Sequence, residues 1–195
     1  MPPDEHRRLG FPTREAFAEW IAAEPDESDG LWLRIARAGS GLATVTHAEA
    51  LEVAIAHGWI DGQRRGDGET HWLVRFTPRR PRSKWSKVNR ATAQRLIDEG
   101  AMTQRGRREV ERAKADGRWD AAYDAWSRAQ VPDDLAAAFA RAPRARTFFA
   151  TLSARNRYSI LYRIQDAKKP ETRQRRIEKY VAMCERGETI HPPDA

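Results

Sequence analysis

The sequence predicts an α+β fold: a small, mainly antiparallel sheet with flanking helices, followed by a helical C-terminal unit. Segments with helical and with strand periodicity alternate over the first 130 residues, and only helical periodicity follows from residue 131. The chain has 195 residues, 40% of them apolar, which is enough for one substantial core or two smaller ones. We therefore predict two domains, an α+β region over residues 1–130 and a helical domain over residues 131–195.

The first 60 residues predict a tail, two helices and one strand. Residues 1–10 lack a periodic pattern and are expected to form a loose tail, and apolar residues at helical spacing then predict a helix over 13–25. The segment Leu31–Ile35 alternates apolar and polar residues, which is typical of a half-buried strand. Thr46 and Glu49 form a capping box, so a helix begins there and ends at Gly58.

A hairpin and an irregular loop follow. The segments Trp59–Arg65 and Thr70–Phe76 are predicted strands, and Gly66–Glu69 between them has the composition of a hairpin turn. Two prolines make residues 77–85 extended and irregular.

The rest of the chain predicts helices. Ser86, Thr103 and Ser153 each precede a helical pattern as a candidate N-cap. Helical spacing also covers residues 119–126, and Pro170 begins the last helix.

Charge is distributed unevenly along the chain. The net charge of +7 combines −5 over residues 1–60 with +7 over 61–130 and +5 over 131–195. The segment Thr70–Ile97 contains no acidic residue but eight basic ones. Because a surface of mixed sign is the usual condition of a globular protein, this segment indicates a binding surface for an anion.

Several classes of protein are excluded by composition. No run of about 18 uncharged apolar residues is present, so no membrane-spanning helix is expected. A single cysteine excludes a disulfide scaffold, and the start of the chain lacks the apolar stretch of a secretory signal. We therefore expect a cytoplasmic protein.

The best candidate site is the basic loop that leads into the helix at Ser86. Its guanidinium and ammonium groups suit phosphate or carboxylate, and the helix N-terminus offers further donors. The candidate ligand-binding residues are Arg79, Arg80, Arg82, Lys84, Ser86, Lys87 and Asn89. Two other interpretations remain open at this stage: these cations pair with the acidic first third of the chain, or they form a solvated basic surface.

Aromatic residues near this loop raise the question of nucleic acid. Trp72 and Phe76 share a strand face with Val74, which is typical of a core. Trp85, between Lys84 and Ser86, is the one candidate for base stacking, although it also fits a helix staple.

Asp61 is a second candidate. Within a predicted strand beside Gly62, it could act as a general base or metal ligand, or it could form a structural salt bridge to an arginine such as Arg75. The spacing of histidines and cysteine matches no metal motif, and Cys184 falls on the apolar stripe of the last helix. We therefore predict no metal site and no cofactor.

Several blocks of sequence resemble the YdeI/OmpD-associated family of bacterial proteins. They read GWIDGQRR at 58–65, RFTPRRPRSKWSKVN at 75–89, AKADGRWD at 113–120 and AKKPETR at 167–173. The resemblance implies that the last 60 or so residues form that family's helical bacteriocin-protection domain, called OmdA. It also implies a role in protection against bacteriocins and an association with a porin, and it carries over no catalytic residue.

The leading hypothesis is a non-enzymatic cytoplasmic binding or stress-protection protein whose basic loop holds an anionic small molecule or an acidic protein segment. The alternatives are an enzyme centred on Asp61 and neighbouring arginines, an iron chaperone, and a non-specific nucleic-acid binder. The sequence specifies no oligomeric state.

Overall fold

The computed structural model describes residues 7–123 and 130–192, and these parts of the chain confirm the α+β class. The elements, in chain order, are β1 (Arg8–Gly10), α1 (Arg14–Ala23), β2 (Leu31–Ala36), α2 (His47–Ala56), β3 (Trp59–Asp67), β4 (His71–Pro78), α3 (Lys87–Asp98), α4 (Gln104–Ala115), α5 (Asp133–Ala140), α6 (Pro143–Thr151), α7 (Ala154–Gln165) and α8 (Pro170–Glu185).

The four strands form one mixed sheet in the order β1-β2-β4-β3. The pairs β2–β4 and β3–β4 are antiparallel, as predicted for most of the sheet, whereas β1 runs parallel to β2. The prediction of a loose tail is wrong for Arg8–Gly10, which pair with Trp32–Arg34. Three residues are too few to show an alternation, so their strand character depends on the partner and not on their own sequence.

Side-chain caps begin the helices where the sequence predicts them. The Thr46 backbone N–H donates to Glu49 Oε2 over 2.8 Å, and the Glu49 N–H donates back to Thr46 Oγ1 over 3.3 Å. The hydroxyls of Thr13, Ser86, Thr103 and Ser153 likewise accept the N–H three residues further on. These caps satisfy donors that a helix N-terminus leaves unpaired.

The predicted helical spacing over 119–126 does not produce a helix in its first part. Gly117 adopts a positive φ of 77° after the end of α4, and the Trp119 N–H donates back to the Ala113 carbonyl over 3.0 Å. This closure turns the chain away from the helix axis. Residues 124–126 of the prediction lie outside the described residues.

Residues 1–122 form one compact unit and residues 123–195 a second. In the first unit, α1 and α2 pack on one face of the sheet, which supplies the buried residues Leu31, Leu33, Ile35, Val74 and Phe76. A second cluster joins α2 to α3 and α4 through Ile55, Leu96, Val110 and Trp85. The helices thus cover one sheet face, and the side chains of alternate strand residues project from the other.

The second unit contains α5 to α8 around its own core. The buried residues include Leu135, Phe139, Phe149, Ile160 and Ile177. Each of these four helices contributes at least one of them, as in a helical bundle.

Candidate anion-binding surface

Arg79, the first cation of the predicted loop, belongs to the protein interior. It is 5% exposed, and its guanidinium lies 3.5 Å from the centroid of the Trp85 ring. Its Nη1 donates to the Lys84 carbonyl over 3.1 Å, and its backbone N–H donates to the Gly58 carbonyl. Arg79 therefore holds the loop closed, and the prediction that it meets a ligand is corrected.

The prediction of a stacking role for Trp85 is also corrected. Trp85 is 1% exposed, with Arg79 over its ring and Trp119 at 5.1 Å in an edge-on arrangement. A ring covered in this way offers no face to a nucleic-acid base.

Ser86 and Asn89 form the N-terminal cap of α3. The Ser86 hydroxyl accepts the Asn89 backbone N–H over 3.1 Å, and both residues are buried. A cap of this kind satisfies one of the free donors that the sequence offered as an anion site.

The remaining four predicted residues, Arg80, Arg82, Lys84 and Lys87, are exposed. Arg80 is tethered twice: its Nη2 donates to the Ser28 carbonyl over 3.3 Å, and its backbone N–H donates to Ser83 Oγ over 2.9 Å. Arg82 has no hydrogen bond or ion pair with any residue that the structure describes. The structure therefore leaves the outer part of the loop open to a ligand.

Several cations of the acid-free segment are directed at carbonyls and not at carboxylates. Arg75 Nη2 donates to the Asp29 carbonyl and Arg90 Nη1 to the Trp119 carbonyl, just as Arg80 donates to that of Ser28. Arg95 behaves differently, because it pairs with the carboxylates of Glu52 and Glu99. Arg95 thus forms an ion pair with a carboxylate of the acidic first third of the chain. Arg75 and Arg80 also contact that third, but they donate to backbone carbonyls, which carry no net charge.

The sheet face opposite α1 and α2 carries a second group of arginines that the sequence analysis missed. Directly opposite one another across the strands lie Arg8, Trp32 and Arg75 in one row, and Arg34, Leu73 and Arg65 in the next. We call these six residues the arginine face.

Two apolar residues of this face are buried beneath its arginines. Trp32 is 5% and Leu73 1% exposed, although neither belongs to the hydrophobic clusters under the helices. The guanidinium groups of Arg65 and Arg75 lie 4.2 and 6.0 Å from the Trp32 ring centroid. Arg34 pairs with Asp67 over 2.7 Å.

Two donors of the arginine face are buried without a hydrogen-bond partner in the described part of the chain: Trp32 Nε1 and Arg75 Nη1. A buried donor left unpaired costs about 1–3 kcal/mol. Burial also lowers the pKa of the Arg75 guanidinium, and the nearby Asp29 carboxylate opposes that shift. The face thus contains donors that an acceptor from outside the chain would satisfy.

Alternation alone predicts that Trp32 and Arg34 share one strand face, and Leu73 and Arg75 another. The missing information was the adjacency of β2 and β4, which puts the two pairs side by side.

Asp61 does not meet Arg75, so the predicted salt bridge between them is wrong. Asp61 is aligned with Phe76 on the helix-covered side of the sheet, where its Oδ2 lies 3.3 Å from His47 Nε2. A bulge interrupts the register between Asp61 and Arg64. Because Arg75 projects from the opposite face, the structure does not join Asp61 and Arg75 into one site.

Comparison with known families agrees with the resemblance seen in the sequence. A family model described as Domain of unknown function (DUF8412) matches residues 9–109, and one described as Bacteriocin-protection, YdeI or OmpD-Associated (OmdA) matches residues 128–187. Through residues 128–187 the chain belongs to the YdeI/OmpD-associated family, and the DUF8412 match covers just over half of its length. No curated protein and no solved structure matches it significantly.

In this family member the OmdA match spans α5 to α8. Arg173 holds these helices together: it donates to both carboxylate oxygens of Asp134, over 2.6 and 2.9 Å, and its Nη1 donates to the Ile164 carbonyl. These bonds from Arg173 lower the pKa of the Asp134 carboxyl. Cys184 is buried within the same domain, and burial raises the pKa of its thiol to about 11.

Two kinds of feature are absent from the described part of this YdeI/OmpD-associated protein. Among residues 7–123 and 130–192, no three His, Cys, Asp or Glu side chains gather as metal ligands would. No helix in the same ranges has the length and apolar character to cross a bilayer.

Proposed function

We propose that this YdeI/OmpD-associated protein is a non-enzymatic cytoplasmic binding protein, of the protective kind that the OmdA description names, and that it holds a phosphate-bearing anion. The binding surface consists of the outer loop cations Arg80 and Arg82 and the adjoining Arg75. One observation carries the proposal: Arg75 and Arg80 donate to the backbone carbonyls of Asp29 and Ser28, not to carboxylates.

A carbonyl acceptor positions a guanidinium without cancelling its charge. Arginine has five N–H donors in a planar fork, so one bond to a carbonyl leaves others for a ligand. An anion beside Arg75 and Arg80 would meet positive charge that is already oriented.

The carbonyls that orient these arginines belong to a well-fixed segment. Ser28 Oγ donates to Glu24 Oε2 over 2.7 Å and accepts the Gly30 N–H over 3.0 Å. Gly30 adopts a φ of 79°, and a Cβ there would lie 2.0 Å from the Phe76 carbonyl oxygen. The close approach of this segment to β4 therefore requires glycine, and it supports a preorganised surface.

Phosphate is favoured over a nucleobase as the recognised group. Arg80 and Arg82 offer charge and donors, whereas Trp85 is covered and cannot stack on a base. A ligand bound by charge alone should be recognised through its phosphates, with strong dependence on ionic strength.

Calorimetric titration of the full chain with inorganic polyphosphate, repeated at several salt concentrations, tests the proposal. The double variant Arg80→Gln/Arg82→Gln should bind polyphosphate about tenfold or more weakly, because each lost charged contact contributes about 1 kcal/mol at an exposed site. Its dependence on salt should also be shallower.

The matched control is Arg107→Gln/Arg112→Gln, which removes two exposed charges from α4 and leaves the loop intact. If both double variants weaken polyphosphate binding equally, the loss of affinity follows from the net charge of the protein alone. That result would contradict the proposed surface. Absence of saturable binding to polyphosphate, to an oligodeoxythymidine and to polyglutamate at low salt would overturn the proposed function.

A further inference from the structure

We infer that the arginine face contains a phosphate subsite in which Trp32 Nε1 and Arg75 Nη1 donate to the same anionic group. The inference rests on the proposed function, and it adds the residues that select a phosphate group on the sheet itself.

The subsite is defined by two orphaned donors in adjacent strands. Trp32 and Arg75 are direct partners in the β2–β4 register, so their side chains project side by side from the same face. Trp32 Nε1 and Arg75 Nη1 are both buried, and neither has a hydrogen-bond partner among residues 7–123 and 130–192. Buried donors in native proteins are almost always paired, so an acceptor from outside the chain that reached these two neighbouring donors would satisfy both.

Trp32 differs from the other tryptophans whose indole N–H is unpartnered. Trp59 and Trp85 also have such an N–H, but both lie within hydrophobic clusters packed by helices. Trp32 lies in none of these clusters, and the guanidinium groups of Arg65 and Arg75 lie 4.2 and 6.0 Å from its ring centroid. Charged side chains, which a ligand can displace, thus cover part of the Trp32 ring.

Arg75 is held in place before any ligand binds. Its Nη2 donates to the Asp29 carbonyl, and its guanidinium carbon lies 6.0 Å from the centroid of the Trp32 ring. Burial lowers the pKa of this guanidinium, so an anion that approached it would stabilise a charge already removed from water. A fixed donor loses little rotational freedom on binding, which favours affinity.

The charge of the surroundings selects an anion over a water molecule. Arg8, Arg34 and Arg65 lie on the same face as Arg75, and Arg34 is paired with Asp67. A phosphate group presents several oxygens and up to two negative charges, so it can accept from the indole and from several guanidinium forks together. A carboxylate has fewer oxygens and a single charge.

Access to the two donors depends on side chains and not on backbone movement. The Arg65 guanidinium lies over the Trp32 ring at 4.2 Å. The long arginine side chain can turn from the indole ring toward a phosphate oxygen, and it then adds a charged contact to the ligand.

Nuclear magnetic resonance of the ¹⁵N-labelled full chain gives the direct test. Titration with inorganic phosphate should move the Trp32 indole N–H signal downfield more than any other of the seven indole signals. Trp32→Phe assigns that signal by its disappearance. Parallel titrations with a nucleoside monophosphate and with polyphosphate identify the source of the phosphate group, and acetate tests for carboxylate.

Variants then connect the signal to affinity. Trp32→Phe keeps an aromatic ring and removes the N–H, so phosphate should bind about tenfold more weakly. Arg75→Gln should weaken binding about 10- to 100-fold, and the double variant should lose less than the product of the two single effects, because both donors serve one group. The matched control is Trp72→Phe, since Trp72 also lies between two guanidinium groups, those of Arg37 at 3.6 Å and Arg64 at 4.3 Å.

The outcomes separate this inference from the proposed function. If polyphosphate binds and Arg80→Gln/Arg82→Gln and Arg75→Gln weaken it, but Trp32→Phe binds as the parent does, the subsite is refuted and the proposed function, whose surface also includes Arg75, stands. An unperturbed Trp32 indole, a larger response to acetate, or an equal loss in Trp72→Phe would each overturn the subsite. Failure of every anion to bind would overturn both.

Discussion

Arginine side chains have two distinct uses in this protein. Arg79 lies flat on the buried Trp85 ring and closes a loop, whereas Arg75 and Arg80 are oriented by carbonyl oxygens and keep further N–H groups for other partners. The planar guanidinium permits both, because it stacks on an aromatic face and donates along its edge. The distinction matters for function, since Arg79 is buried whereas Arg80 is exposed and can meet a ligand.

The sequence located the acid-free segment but could not distinguish Arg79 from Arg82. Both follow a strand and both stand in a proline-rich loop. Their difference arises from Trp85, which folds back beneath Arg79 and leaves Arg82 in solvent. A tertiary stacking contact of this kind has no local sequence signal.

His57, at the end of α2, makes the stability of the first unit sensitive to pH. Burial lowers the pKa of this imidazole, and the charge of Arg105 lowers it further. In the unfolded chain His57 takes up a proton as the pH falls below its ordinary pKa of 6.5. In the folded chain His57 takes up that proton only at a lower pH. The free energy of unfolding therefore falls as the pH is lowered from 6.5 to the pKa of the folded chain. In His57→Gln the decrease should be smaller.

Urea unfolding followed by tryptophan fluorescence at pH 7.5 and at pH 5.0 measures this difference. The same loss of stability in the parent and in His57→Gln would show that another group is responsible.

At the level of secondary structure, local signals were sufficient for most element boundaries and insufficient for strand order. Caps at Thr46, Ser86 and Thr103 act through backbone groups three residues away, so the sequence contains the whole interaction. The position of β2 between β1 and β4 involves partners about 40 residues apart, and alternation within one strand does not specify its neighbours. The arginine face was missed for this reason.

The contact between α2 and α4 depends on Gly106. A Cβ at this position would lie 2.2 Å from the Ala56 carbonyl oxygen and 2.4 Å from Met102 Sδ. Alanine favours a helix by about 1 kcal/mol over glycine, but the clash with backbone requires the two helices to separate. We expect Gly106→Ala to lower the free energy of unfolding by about 2–4 kcal/mol.

Chemical denaturation measures that change, and Arg107→Ala, one residue further along α4 and exposed, is the control. It should remain within about 0.5 kcal/mol of the parent. A neutral or stabilising Gly106→Ala would mean that α4 can move away from Ala56 at no cost.

At the level of the whole molecule, the described hydrophobic clusters fall into two separate sets. Those under the sheet and between α2, α3 and α4 belong to residues 1–122, and the cluster of α5 to α8 belongs to residues 123–195. The sequence places its change from mixed to purely helical periodicity at residue 131, and the domain boundary there stays a prediction. Because each unit has a core of its own, we expect a lesion in one core to leave the other folded.

Cys184 reports on the second unit alone. It is fully buried, and its thiol has a pKa of about 11, so at pH 8 a thiol reagent should react only when the helical unit opens. Ile177→Ala should accelerate labelling by at least tenfold, since removing a buried isoleucine side chain costs about 2–5 kcal/mol. Gly106→Ala should leave the labelling rate unchanged.

Spectrophotometric thiol labelling of the full chain compares these rates. Acceleration by Gly106→Ala to the extent seen with Ile177→Ala would mean that the two units unfold as one. Such a result would require a single stability for the whole chain.

The bulge between Asp61 and Arg64 also changes the hydrogen-bonding pattern at one edge of the described sheet. Strand β3 lies at an edge of the described sheet, where unpaired backbone groups favour the addition of a strand from a neighbouring molecule. The bulge interrupts the regular spacing of those groups, and the charged residues Asp61, Arg64 and Arg65 flank it. We therefore expect strand β3 to resist edge-to-edge pairing between copies of the chain.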